Sequence, residues 1–242
     1  MFNKQELESL LSEVGKNIGK PLKIYMIGGC ALSFKGLKEA TKDIDIIVTN
    51  QEDFNIFDKA MTKSGFQSMS ERETEFYITA LAVYKKEESR IDVFLKQVGK
   101  MIFLTKSMIQ RAKKYKEYGD MEIYLISNED IFLFKTMTSR EGDIYDCDKI
   151  MKGEIDYNVI YKEIVEQSKE EGKRWFFWVY ESLCRLENHN SINIPIKRNV
   201  FTLVKKYWNE KPADFMEDIE NLENHIAGKK LLRTLHQNAK HF

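Results

Sequence analysis

Proline, cysteine and glycine are all scarce in this 242-residue sequence, at three, three and twelve residues, and formal net charge is absent. So few prolines and glycines exclude a linker-like or low-complexity chain that cannot bury a core. Cys30, Cys147 and Cys184 are odd in number and widely spaced. That excludes a disulfide framework or a zinc-ligand spacing and predicts reduced thiols. No apolar run approaches the ~18–20 residues that a membrane span needs. Residues 1–15 mix acids among apolar positions and lack a hydrophobic signal core, so a cytoplasmic protein with no membrane contact is expected. Thirty-eight basic side chains balance thirty-eight acidic ones, which leaves no global field to gather nucleic acid and only local patches to do so. The length allows one large domain or two smaller ones, each with its own core.

What is present changes character along the chain. Leu7, Leu10, Leu11 and Val14 recur at helical spacing, so a first helix is expected over 4–18. Lys23 to Ile27 is a short β-rich run closed by Gly28-Gly29, a strand entering a tight turn. Ala31 to Phe34 suits a short helix ending near Gly36. Asp43 to Val48 alternates acid and Ile before turning apolar, as a strand does when one face carries a site. Phe54 to Ser64 reads as a helix stopped by Gly65. Phe76 to Tyr84, Arg90 to Leu95 and Met121 to Ile126 read as further strands.

Beyond this the strand signals fade. Ser127 and Asp130 resemble a capping box before the apolar run Ile131 to Phe134. The basic stretch Lys106 to Lys116 reads as a solvated helix face, with contact to an RNA backbone as the other reading. Helical periodicity runs through Asn158 to Leu186, Arg198 to Trp208 and Phe215 to Leu235, with Pro195 and Pro212 at the joins. Trp175, Phe176, Phe177, Trp178 and Tyr180 form an aromatic cluster expected in a helix core or a dimer face, with stacking on nucleic-acid bases as the other reading. His189, His225, His236 and His241 lack ligand spacing and are expected at the surface. A mixed α/β domain over 1–125 and a helical domain over 126–242 follow.

One constellation carries chemistry. Asp43-Ile44-Asp45 supplies two carboxylates at period two, so on a strand both face one way while Ile44 turns into the core. Their repulsion is relieved by a cation between them. Asp92, in Ile91-Asp92-Val93-Phe94, is another acid inside an apolar strand. A strand paired beside the first would complete a three-carboxylate cluster able to hold two metals ~3.5–4 Å apart. Mg²⁺ prefers such oxygen ligands, and transfer to or from a nucleoside triphosphate needs cations between its phosphates. Glycines at 28 and 29 let the backbone approach the phosphates closely.

The stretch from Ile27-Gly28-Gly29-Cys30 through Gly36, Lys38, Thr41 and Asp43-Ile44-Asp45 resembles the polymerase-beta-like nucleotidyltransferase superfamily. Within it the sequence is most similar to the minimal bacterial and archaeal group that includes type IV toxin–antitoxin nucleotidyltransferase toxins. The resemblance spans roughly residues 22–150 and is specific in 27–48. It implies an α+β fold: a nucleotidyltransferase-like mixed β-sheet, leaning antiparallel and flanked by helices, followed by a helical C-terminal region. It also implies Mg²⁺ on Asp43, Asp45 and Asp92, transfer of a nucleoside monophosphate with release of pyrophosphate, and Asp92 assisting the acceptor hydroxyl. Gly28, Gly29, Lys38 and Thr41 would hold the nucleotide. Cys30 stands where many members have Ser, and Lys38 where relatives often have Arg, which keeps the charge but loses the fork.

A second block, Lys135 to Asp148, resembles the toxin-like pattern of a helical Lys, a basic residue and a close pair of acids. By that resemblance Lys135 and Arg140 reach the nucleotide phosphates, with Asp143 and Asp146 orienting them. Solvated helix charges pairing with Glu141 or Asp143 are the plainer reading. The acceptor stays open among a tRNA 3′ end, a protein hydroxyl and a small alcohol such as an aminoglycoside. An antitoxin partner is implied only by the toxin-like group. A catalytically silent nucleotide-binding or partner-binding module on the same fold is the competing function.

Overall fold

A computed structural model of the chain describes residues 1–69, 80–98, 102–137, 140–169 and 176–223, with side chains to 217. Two compact units emerge, Met1–Ile131 and Phe132–Phe242.

The first unit is a seven-stranded mixed sheet flanked by helices. Its strands are β2 (Leu22–Ile27), β4 (Ile44–Val48), β5 (Gln67–Ser68), β6 (Ala82–Lys86), β7 (Ser89–Leu95), β10 (Lys113–Tyr118) and β11 (Met121–Leu125). Their order is β10-β11-β2-β4-β7-β6-β5. Only the pairs β11–β2 and β4–β7 are parallel, so the sheet is mixed and mostly antiparallel. The central strands are apolar on both faces: Ile24, Met26, Ile46, Ile47, Val93 and Ile123 are buried, as expected when helices cover a sheet on each side. The helices packed on the sheet include α1 (Lys4–Gly15), α2 (Gly28–Phe34) and α3 (Gln51–Lys63), and the unit also holds α4 (Lys106–Arg111).

Local chemistry sets the boundaries. The Asn3 side chain accepts from the backbone N–H groups of Gln5 and Glu6, while Glu6 returns a carboxylate to the Asn3 N–H, a full capping box at the start of α1. Asn50 caps α3 by accepting from the Asp53 N–H at 2.8 Å. Ser127 accepts from the Asp130 N–H at 3.1 Å at the head of α5 (Asn128–Thr136). Arg111 and the Ser127 hydroxyl donate to the Asp130 carboxylate.

The basic stretch departs from expectation. Lys106 to Lys116 is not one helix face: α4 ends at Arg111, Ala112 turns extended, and Lys113–Tyr118 forms the edge strand β10. It joins the sheet by antiparallel pairing with β11, and Tyr115 anchors it to the helices by packing on the Phe34 ring at 4.8 Å and bonding Glu8. Lysines facing out along an edge strand also discourage pairing with other chains.

The second unit is helical, with α6 (Glu141–Met151), α7 (Tyr157–Gln167), α8 (Phe176–Asn190), α9 (Lys197–Glu210) and α10 (Pro212–Glu223). The periodicity over 158–186 thus belongs to two helices. Phe176, Phe177 and Trp178 are buried, and Phe177 meets Phe215 edge-on at 5.6 Å, so these three rings of the aromatic cluster are core, while Tyr180 is half-buried. His189 is exposed beside the Tyr145 ring. Residues 76–79 of one expected strand, Trp175, His225, His236 and His241, and 224–235 of the last expected helix lie outside the described residues. Among the described residues, no helix is long and apolar enough to cross a membrane.

Candidate active site

Three strands at the middle of the sheet position the acids. Ile27 at the end of β2 pairs with Asp45 of β4, and Asp45 in turn stands opposite Asp92 of β7. Paired residues on adjacent strands share a face, so Asp45 and Asp92 project to the same side. Asp43 lies two residues ahead of Asp45, just outside the strand. Both are half-buried, while Asp92 is 6% exposed.

The turn after β2 is shaped around these acids. Gly28 holds φ at +62°, and a Cβ there would overlap Asp45 Oδ2. Glycine is therefore required twice over, by backbone conformation and by the carboxylate pressed against it. A Cβ on Gly29 would sit 2.6 Å from Thr41 Oγ1 and 3.5 Å from Lys38 Nζ. The structure thus gathers Gly28, Gly29, Lys38, Thr41 and Asp45 at one place. Thr41 is fixed there from two directions. Its hydroxyl donates to the Asp43 carbonyl at 3.2 Å, and its backbone pairs with Phe2 in the short ladder of β1 (Phe2–Asn3) with β3 (Ala40–Thr41). Cys30 sits beneath the turn, fully buried, with its thiol donating to the Ile27 carbonyl at 2.9 Å. Burial, followed by the charge of Asp45, pushes its pKa far above the ordinary thiol value. It is a filler, not a nucleophile.

Sequence reasoning missed Arg90. Its guanidinium grips Asp92 with both arms, Nε to Oδ1 and Nη2 to Oδ2, each at 2.7 Å. The signal was available: Arg90-Ile91-Asp92 on a strand places the two charged residues on one face. Burial raises the Asp92 pKa; Arg90 opposes that rise and the negative charge of Asp43 adds to it.

With this geometry in view, the sequence matches over residues 5–183 the family described as "Nucleotidyltransferase of unknown function (DUF6036)". The chain belongs to that family. Two solved structures are similar in part. One is the solution structure of the antibiotic-resistance factor ANT(2″)-Ia: 12% identity, 78% of this chain and 98% of that one covered, TM-score 0.39. The other is the crystal structure of ANT(2″)-Ia with adenylyl-2″-tobramycin: 11% identity, 75% and 97% covered, TM-score 0.38. No curated protein matches.

Nucleotidyltransferases commonly use a divalent cation. Among the described residues, no group of three or more His, Cys, Asp or Glu side chains is placed to hold a metal ion. Asp43 and Asp45 do fit the habit of Mg²⁺, which takes one or two carboxylates and completes its shell with water and substrate phosphates.

The other two nucleotide-binding candidates lie in the helical unit. Lys135 is 7% exposed and meets Asp143 at 2.5 Å and Asp146 at 2.9 Å. Arg140 bonds the second oxygen of Asp143 at 2.7 Å from a largely exposed position. Burial works against the Lys135 charge, but Asp143 and Asp146 outweigh it and hold the pKa above the ordinary lysine value. Lys135 is therefore part of a buried ion cluster built by α5 and α6, not a solvated helix charge.

Proposed function

We propose that this member of the family transfers a nucleoside monophosphate from a nucleoside triphosphate to an acceptor hydroxyl, using Asp43, Asp45 and Asp92. The observation that carries this is the β2–β4–β7 register, which puts Asp45 beside Asp92 with Gly28 pressed against the Asp45 carboxylate.

Asp43 and Asp45 would hold Mg²⁺, which when bound neutralises phosphate charge and polarises the phosphoryl oxygens. The Gly28-Gly29 turn admits the triphosphate close to the backbone, and Lys38 lies at Gly29 to meet its oxygens with a positive charge, while Thr41, donating to the Asp43 carbonyl, would hold the turn in place beside them. Asp92 takes the acceptor hydroxyl's proton as the new oxygen–phosphorus bond forms at the α-phosphorus. The bond from that phosphorus to the bridging oxygen breaks, and its electron pair leaves with pyrophosphate. Most of the rate gain would come from positioning and fixed charge.

The test is to incubate the full chain and Mg²⁺ with each α-³²P-labelled nucleoside triphosphate and a fractionated cell extract. Label entering tRNA or protein would favour a toxin-type enzyme, for which an antitoxin partner would then be sought. Label entering a small alcohol such as an aminoglycoside would favour a modifying enzyme. Stabilisation by a triphosphate with no label in any fraction would instead establish a silent nucleotide-binding module.

A further inference from the structure

Arg90 and Asp92 form a two-pronged charge pair beside the candidate site. Both lie on β7, two residues apart, and the planar fork of Arg90 engages both Asp92 oxygens at 2.7 Å. Neither side chain is loose: they are 16% and 8% exposed. A guanidinium keeps its charge at any working pH, and its two parallel N–H bonds match a carboxylate's geometry. It therefore cannot leave Asp92 by losing a proton. Departing as a cation would strand a buried carboxylate without its partner.

A two-cation centre of the polymerase type requires the third carboxylate to turn its oxygens toward metal, with ions ~3.5–4 Å apart. Here those oxygens turn to Arg90, in keeping with the lack of any three-acid metal group among the described residues. We propose that Arg90 takes the place of a second cation: its fork reserves Asp92 for the acceptor hydroxyl, so the site binds a single divalent ion, on Asp43 and Asp45, with each triphosphate. The inference rests on the nucleotidyl-transfer reading above and assigns Arg90 as a positioning residue. A carboxylate has lone pairs beyond the two that the fork occupies, so Asp92 still receives a proton while held.

Equilibrium dialysis of the full chain with Mn²⁺ and each of the four α,β-methylene nucleoside triphosphates tests this, counting the metal and nucleotide retained. The expected ratio is one Mn²⁺ per nucleotide for the native chain and for Arg90→Lys, whose ammonium still sits at Asp92. Arg90→Ala should raise the ratio toward two, and Arg90→Ala with Asp92→Asn should return it to one. A ratio of two in the native chain overturns the proposal whether or not the variants fold. So does a ratio of one in an Arg90→Ala chain whose circular dichroism is native. Retention of neither nucleotide nor metal by the native chain would overturn the nucleotidyl-transfer reading itself, a separate and recognisable result.

Discussion

Asp45 stands directly opposite Asp92 in the parallel β4–β7 pair, placing two carboxylates on one face at the spacing of neighbouring strands. Strands lie ~4.8 Å apart, close enough for like charges to raise each other's cost and for a cation to relieve it. The arrangement follows from register alone: a slip of one residue would turn one of the acids to the opposite face.

Gly28→Ala should therefore damage the site through the backbone. The substitution forces a side chain into φ +62° and against Asp45 Oδ2. A loss of ~1–3 kcal/mol in stability is expected from such strain, with a fall in triphosphate affinity because Asp45 must move. Thermal denaturation and nucleotide titration of the variant measure both. Gly36→Ala, where φ is +75° but a Cβ meets nothing, should cost stability without the affinity loss.

Lys135 offers a test in the helical unit. Lys135→Met would leave Asp143 and Asp146 buried without their shared cation, a loss of ~3–5 kcal/mol by comparison with other broken buried pairs. In the native chain the folded-state pKa of Lys135 lies above the ordinary 10.5. Its stabilisation is then complete below that pH and drains away as pH rises through the folded-state value. Urea unfolding across alkaline pH should show that decline in the native chain. The same decline in Lys135→Met would assign it to other groups.

Thiol reactivity should follow burial. Cys30 and Cys147 are buried, with pKa values pushed up mainly by that burial, whereas Cys184 is partly exposed. A disulfide reagent at pH 8 should modify Cys184 first and the other two only on unfolding. Rapid loss of all three thiols from folded protein would contradict the packing around the glycine turn.

Much of the sheet was legible because strands announce themselves by alternation. Ile44, Ile46 and Val48 on one side of β4 with Asp45 on the other gave the strand, and the glycines gave the turn before it. The edge strand β10 was not legible. Its lysines look like a solvated helix face, and what makes it a strand is its ladder with β11 and the contacts of Tyr115 with Phe34 and Glu8, all set by distant sequence or by pairing. The burial of Lys135 was hidden for a similar reason, since its partners lie eight and eleven residues away on the next helix. Arg90 was legible by period two with Asp92, although its importance depends on the register that sets Asp92 opposite Asp45.

The most direct test of the central claim is the isosteric pair Asp43→Asn and Asp45→Asn, assayed for Mg²⁺-dependent transfer of label from α-³²P triphosphate. Each substitution keeps side-chain shape while removing the charge that would hold the cation. Transfer should fall by ~100-fold or more in both, a loss of ~2.7 kcal/mol or greater in transition-state stabilisation, with circular dichroism unchanged. A folded Asp45→Asn chain that transfers label at the native rate would contradict the account.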